Sequence, residues 1–152
     1  MGATHFTGPV MSGDVLNTTG STAGSVKNVG SVILAQSANI TQADTATAAT
    51  TGICIPAGSL IVRIDVFATV AWSGVAKTIS IGTSATSTEL VSAGNLAAIG
   101  LAALTPGTDA TRTGAWIDVG TSDVLIYALS ANTGDGVGTI VVHYVQAADM
   151  TP

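Results

Sequence analysis

Residues 60–71 read Leu60-Ile61-Val62-Arg63-Ile64-Asp65-Val66-Phe67-Ala68-Thr69-Val70-Ala71. Successive side chains of a strand point to opposite faces, so Leu60, Val62, Ile64, Val66, Ala68 and Val70 share one face and the intervening residues share the other. The first face is wholly apolar, and a helix, with its period of 3.6, does not produce that alternation. The second face is mixed. Arg63 and Asp65 read as an i, i+2 pair on the solvent side, worth at most about 1 kcal/mol. The stretch is a long strand with one face against a core, and the neighbouring residues are read from it.

Upstream, Ile53-Cys54-Ile55-Pro56 leads into Ala57-Gly58, a turn with proline at its first corner. Downstream, Trp72-Ser73-Gly74 closes a turn into Lys77-Thr78-Ile79-Ser80-Ile81-Gly82, so that the two strands read as a hairpin with Ile79 and Ile81 facing inward. Val32, Ile33, Leu34 and Ile40 suggest a first strand, and residues 41–51 suit strand or loop. Residues 94–104 read as irregular strand or loop, because a helix there would carry Gly100 at a cost of about 1 kcal/mol. Thr105-Pro106-Gly107-Thr108-Asp109 is a turn, after which Trp116, Ile117 and Val119 begin another strand. Val124-Leu125-Ile126-Tyr127-Ala128-Leu129 is apolar on both faces, which suits the middle of a sheet. Residues 132–136 read as a hairpin loop before a final alternating strand from Val137 to Val145. Six to eight strands with no long helix and no fixed-period repeat predict an all-β fold. The expected architecture is a jelly-roll-like antiparallel β-sandwich over residues 31–152. Residues 1–30 are rich in Gly, Ser and Thr and read as an extended N-terminal arm. Within it His5, Phe6, Pro9 and Val10 offer an aromatic ring, an aliphatic side chain and a proline that lowers the entropy cost of ordering.

Composition excludes whole classes of function. The 152 residues are 47% apolar but only 9% charged, with a net charge of -5. That is too hydrophobic for a disordered chain. Four cations, Lys27, Arg63, Lys77 and Arg112, are spread singly along the sequence and make no stripe that could neutralise phosphates, so nucleic acid is not an expected partner. No run of about 20 apolar residues occurs, and no basic, then apolar, amino-terminal pattern marks a secretory signal, so neither membrane nor export is expected and the chain should be made and kept in a cytoplasm until it joins something. The single Cys54 has no intrachain partner and reads as a small buried hydrophobe.

Catalysis is not expected either. There is no Gly-x-Ser-x-Gly elbow to position a serine, and the two histidines, His5 and His143, fall in the arm and the last strand. His143 reads as an ordinary sheet residue. The loop Asn132-Thr133-Gly134-Asp135-Gly136 pairs an amide with a carboxylate but lacks the acidic spacing and closing glutamate of a calcium loop, so no metal or other cofactor is expected. What remains conspicuous is the surface. Sheet edges without lysine invite pairing with other chains, which points to a β-domain covered by copies of itself or by a larger lattice.

Three stretches resemble a known family. The run from Ile55-Pro56-Ala57-Gly58 through residues 60–66 and Trp72-Ser73-Gly74 to Thr78-Ile79-Ser80-Ile81-Gly82-Thr83 resembles a hairpin of small tailed-phage virion proteins. Gly138-Thr139-Ile140-Val141-Val142-His143-Tyr144-Val145 resembles their last strand, with His143 where an acidic residue is more common. Thr4-His5-Phe6-Thr7-Gly8-Pro9-Val10 is similar to the start of capsid-associated proteins of marine phages and cyanophages. Together they cover about a third of the chain. The likeness is to capsid decoration, or cement, proteins. It implies a homotrimer on the outer surface of the head, bound to the major capsid protein and stabilising the shell, with the arm around His5, Phe6, Pro9 and Val10 as the capsid-contacting element. A second reading is a tail, neck or fibre domain with a host-surface glycan as ligand, which exposed Trp72 or Trp116 would favour.

Overall fold

The computed structural model describes residues 32–146 and, before them, the backbone of Val15–Asn17 and Val26–Asn28. Those two short segments, β1 and β2, form an antiparallel ladder within the stretch that reads as an arm, Val15 opposite Asn28. The sandwich comprises β3 (Ile33–Thr41), β4 (Ala49–Ile55), β5 (Leu60–Val70), β6 (Thr78–Gly82), β7 (Val91–Asn95), β8 (Gly100–Leu104), helix α1 (Ala110–Ile117), β9 (Val124–Ser130) and β10 (Val137–Val145).

The eight strands form two four-stranded antiparallel sheets, ordered β3-β10-β5-β8 and β4-β9-β6-β7. The pairings β3 with β10, β4 with β9, β5 with β8 and β6 with β7 are nested. The chain is one long antiparallel ribbon, its tip at β6–β7, wrapped so that successive rungs fall into alternate sheets. This is the double-wound arrangement of a jelly roll, as the strand pattern predicts. Isoleucine dominates the space between the sheets, with Ile53, Ile55, Ile64, Ile79, Ile81, Ile126 and Ile140 each at most 2% exposed. With few aromatic residues available, β-branched side chains that fit a pleated surface fill that volume.

The nesting corrects two expectations. β5 and β6 are not a hairpin: they lie in different sheets, and residues 71–77 cross from one to the other. The indole of Trp72, 1% exposed, enters the interior there, its Nε1 donating to Ser130 Oγ at 2.8 Å and its backbone amide to the Leu96 carbonyl at 2.9 Å. Residues 132–136 likewise join β9 to β10 across the two sheets rather than within one. Both turns carry the residues a hairpin would. The difference is that burying the indole between the layers requires the chain to change layer.

The alternation of β5 is also broken. In its ladder with β10, Arg63 faces His143 while Ile61 faces Tyr144, so Val62 is looped out as a bulge. Inward phase passes from Ile64, Val66 and Ala68 to Ile61, and Val62 is 43% exposed. A second bulge skips Thr69 and turns Val70 outward, 43% exposed.

Residues 110–117 are a helix and not the strand that Trp116, Ile117 and Val119 suggest. The Asp109 carboxylate caps it by accepting from the Arg112 amide at 2.9 Å. That hydrogen bond holds the Asp109 carboxyl below its ordinary value. Trp116 Nε1 donates to the Leu90 carbonyl at 2.9 Å, and Ala115, Trp116 and Val119 pack against the core.

Candidate interaction surfaces

Strand parity decides which side chains reach solvent. On the outer face of the sheet β3-β10-β5-β8 the register aligns Ala35, His143 and Arg63 in one row, Ser37, Val141, Asp65 and Ala103 in the next, and Asn39, Thr139, Phe67 and Leu101 in a third. Phe67 and Leu101 are 46% and 53% exposed. Beyond the second bulge, Val70 lies opposite Val137. At this end the β5–β8 side of the face is apolar and the β3–β10 side carries Asn39 and Thr139, while the other end carries the only charges found on the eight strands.

Those charges are not the solvated pair read from the sequence. The Asp65 side chain is 4% exposed and the Arg63 side chain 50%. Arg63 Nε donates to Asp65 Oδ1 at 2.8 Å, and His143 Nε2 lies 3.7 Å from Asp65 Oδ2. Asp65 sits on an interior strand between β10 and β8, so its neighbours on both sides and the Arg63 stem shield it. Periodicity identified the face correctly but could not show that the next strands crowd it.

The edges differ from one another. Along β3 and β4, the Gln36 side chain donates to the Cys54 carbonyl at 2.6 Å and accepts from the Cys54 amide at 3.1 Å. A side-chain amide there does what a neighbouring strand would do, and Gln36 Nε2 also contacts Tyr144 Oη at 2.9 Å. Cys54 is half-buried at this seam. Along β7 and β8 the surface opens into a groove of about 510 Å3 with small side chains, among them Ala93, Ala98, Ala102 and Ala103. Arg112 also lines it, but its guanidinium is engaged by the Thr88 and Pro106 carbonyls.

The loop 132–136 is held by hydrogen bonds rather than open to a ligand. Asn132 Oδ1 accepts from the Ala76 amide at 3.1 Å, and its Nδ2 donates to the Ser73 carbonyl at 3.0 Å. Among the described residues, no three His, Cys, Asp or Glu side chains converge, and no helix is long and apolar enough to cross a membrane. His5, Phe6, Pro9 and Val10, the candidate capsid-binding residues, lie outside the described residues. Trp72 is buried and Trp116 half-buried, so neither offers the exposed platform that would favour the glycan reading.

Sequence reasoning missed Gln36 and Gln42, which act across long sequence separations. The helix, by contrast, had a local signal: Asp109 follows Pro106-Gly107 and stands three residues before the amide that it caps.

No family model matches this sequence, and no curated protein matches it. Among solved structures, a chain of the cyanophage Pam1 capsid asymmetric unit is similar, with a TM-score of 0.48 and 17% identity over 95% of this chain and 91% of that chain.

Proposed function

We propose that this chain is a virion structural protein, a capsid decoration or cement protein that binds the outer surface of a tailed-phage head as a homotrimer and stabilises the shell. The observation that carries the reading is where its charges lie. Charged residues on the sandwich strands occur only on β5, an interior strand, and the four edge strands β3, β4, β7 and β8 have none. Proteins that live as monomers place charge, especially lysine, on their edges to block pairing. This one combines bare edges with exposed Phe67, Leu101, Ile99 and Ile33. Such surfaces suit a protein covered by neighbours.

The sequence resemblance supplies the particular setting. A cement protein adds repeated weak contacts that oppose outward pressure on the shell, and it needs neither a catalytic site nor a cofactor. Three arms on one trimer act at high effective concentration, so each can bind weakly while the trimer holds. In this reading the partner is the major capsid protein, and His5, Phe6, Pro9 and Val10 make the contact. The protein is made in the host cytoplasm and ends on the outer capsid surface.

The test is re-addition of purified protein to capsids stripped of it, followed by sedimentation. The full chain is expected to pellet with the capsids, and a chain lacking residues 2–25 to stay folded yet remain in the supernatant. A full chain that stays in the supernatant at every salt concentration overturns the reading; attachment by the truncated chain overturns the role of the arm.

A further inference from the structure

Four strand edges border the two sheets, and two of them are blunted. On β4 the Cys54 amide and carbonyl are taken by Gln36, and the ladder to β9 is interrupted between Thr50 and Cys54 around Gly52 at φ +80°. On β7 the ladder to β6 slips between Ile79 and Ile81, Ala93 is forced to φ +52°, and its amide is diverted to Ser80 Oγ at 3.1 Å. Bulges of this kind turn an edge away from new partners.

The other two edges keep their register, the positive φ of Gly100, +114°, falling at the first residue of β8. β8 pairs with β5 without a slip from Leu104 opposite Ile64 to Gly100 opposite Ala68. β3 pairs with β10 without a slip over nine residues. Neither carries a charge or a proline. They are the two margins of the same sheet.

From these observations we infer that β8 is a strand-acceptor edge whose partner is β3 of a second copy of this chain, so that the sheet β3-β10-β5-β8 continues from one subunit into the next. Strand direction favours it. The sheet holds four strands, all antiparallel, so its margins β3 and β8 run in opposite directions. A copy rotated about an axis along the strands therefore presents β3 antiparallel to β8, the usual hairpin-like ladder. Charge favours it too. Each copy carries a net charge of -5, so copies repel except where they meet on neutral surface, and these margins are neutral. The contact buries Leu101, 53% exposed on β8. It is head-to-tail, and such a contact closes into a ring when the rotation allows. Only the number of copies in that ring rests on the trimer reading above.

The experiment uses the full chain and two substitutions of the same chemistry, Leu101→Glu on β8 and Leu125→Glu on β9. Leu125 is similarly exposed, at 44%, but sits on an interior strand of the other sheet. Native mass spectrometry and amide hydrogen exchange are read together, with circular dichroism to confirm folding. The expected result is a wild-type oligomer whose β8 and β3 edge amides exchange slowly, loss of both oligomer and protection in Leu101→Glu, and retention of both in Leu125→Glu. Wild-type monomer at all concentrations, an oligomer that survives Leu101→Glu, dissociation by Leu125→Glu alone, or free exchange along β8 within the oligomer each overturn the β8 assignment. Should Leu101→Glu fail to fold, exchange along β8 in the wild-type oligomer decides by itself. Co-sedimentation with capsids is scored separately, so failure of the β8 edge is distinguishable from failure of the capsid reading.

Discussion

Gln42 is fully buried between loops remote from one another in sequence. Its Nε2 donates to the Ser73 and Asn132 carbonyls at 2.9 and 3.0 Å, and its Oε1 accepts from the Ser73 and Gly136 amides at 2.9 and 3.2 Å. Both polar ends of one amide are thus satisfied, and three chain crossings at the Trp72 end of the sandwich are tied together. Gly136 lies so close under the indole that a Cβ there would meet Trp72 Cδ2 at 2.5 Å. Gln42→Ala strands buried backbone groups, each of which costs about 1–3 kcal/mol. A loss of roughly 3 kcal/mol or more is expected in urea unfolding, with Trp72 fluorescence shifting toward that of an exposed indole. A loss below about 0.5 kcal/mol, the range of an ordinary surface change, would show that the hub is dispensable. Nothing in the sequence around Gln42 marks it, because its partners lie 31 to 94 residues away.

The ribbon's tip, residues 83–90 between β6 and β7, is organised by one carboxylate. Glu89 accepts from the Ser84 and Thr86 hydroxyls and from the Thr88 amide at 3.0 Å, and Ser87 turns at φ +53° in the middle. Partial burial pushes the Glu89 carboxyl up, but the hydrogen bonds from Ser84, Thr86 and the backbone outweigh it, and the net direction is downward. A depressed folded-state value means that the contribution is present above the ordinary value and lost as pH falls through the folded one. Amide exchange over residues 84–90 is therefore expected to accelerate as pH drops below 4.5, after correction for intrinsic exchange, and Glu89→Gln to remove that dependence. A Glu89→Gln profile identical to that of the wild type contradicts this role. Elements differed in how readable they were. β6, β9 and β10 follow their alternation, whereas β5 changes phase at Val62 because the bulge is a property of its pairing with β10. α1 escaped because the apolar side chains of Trp116 and Ile117 outweighed the cap at Asp109.

For the whole molecule, scarcity of charge governs how it can associate. With four cations and nine carboxylates in 152 residues, and none of these on the sandwich edges, ionic contacts have little to build on. Salt screens exposed charges over about 10 Å at 0.1 M ionic strength but leaves apolar and backbone contacts intact. Self-association is expected to persist, or to strengthen as repulsion between copies is screened, when light scattering is followed from low to molar salt. Dissociation at high salt would place the contact on charged groups such as Arg63 and Asp65 instead of the bare edges.

Local residue order was enough for the all-β class, the inward faces of Ile79 and Ile81, and the scarcity of charge along the strands. The two-residue period needs only neighbours along the chain. Which strand lies beside which was decided only by the tertiary structure. The turns at residues 71–77 and 132–136 have the chemistry of hairpins, yet both cross between sheets, because Trp72 and Gln42 gain their buried partners only when the layers are stacked. Pairing within the sheet likewise places Asp65 on an interior strand, beside Arg63, and leaves β8 at the margin. Long-range packing selects among turns that are equivalent locally, and that selection sets which strands become edges.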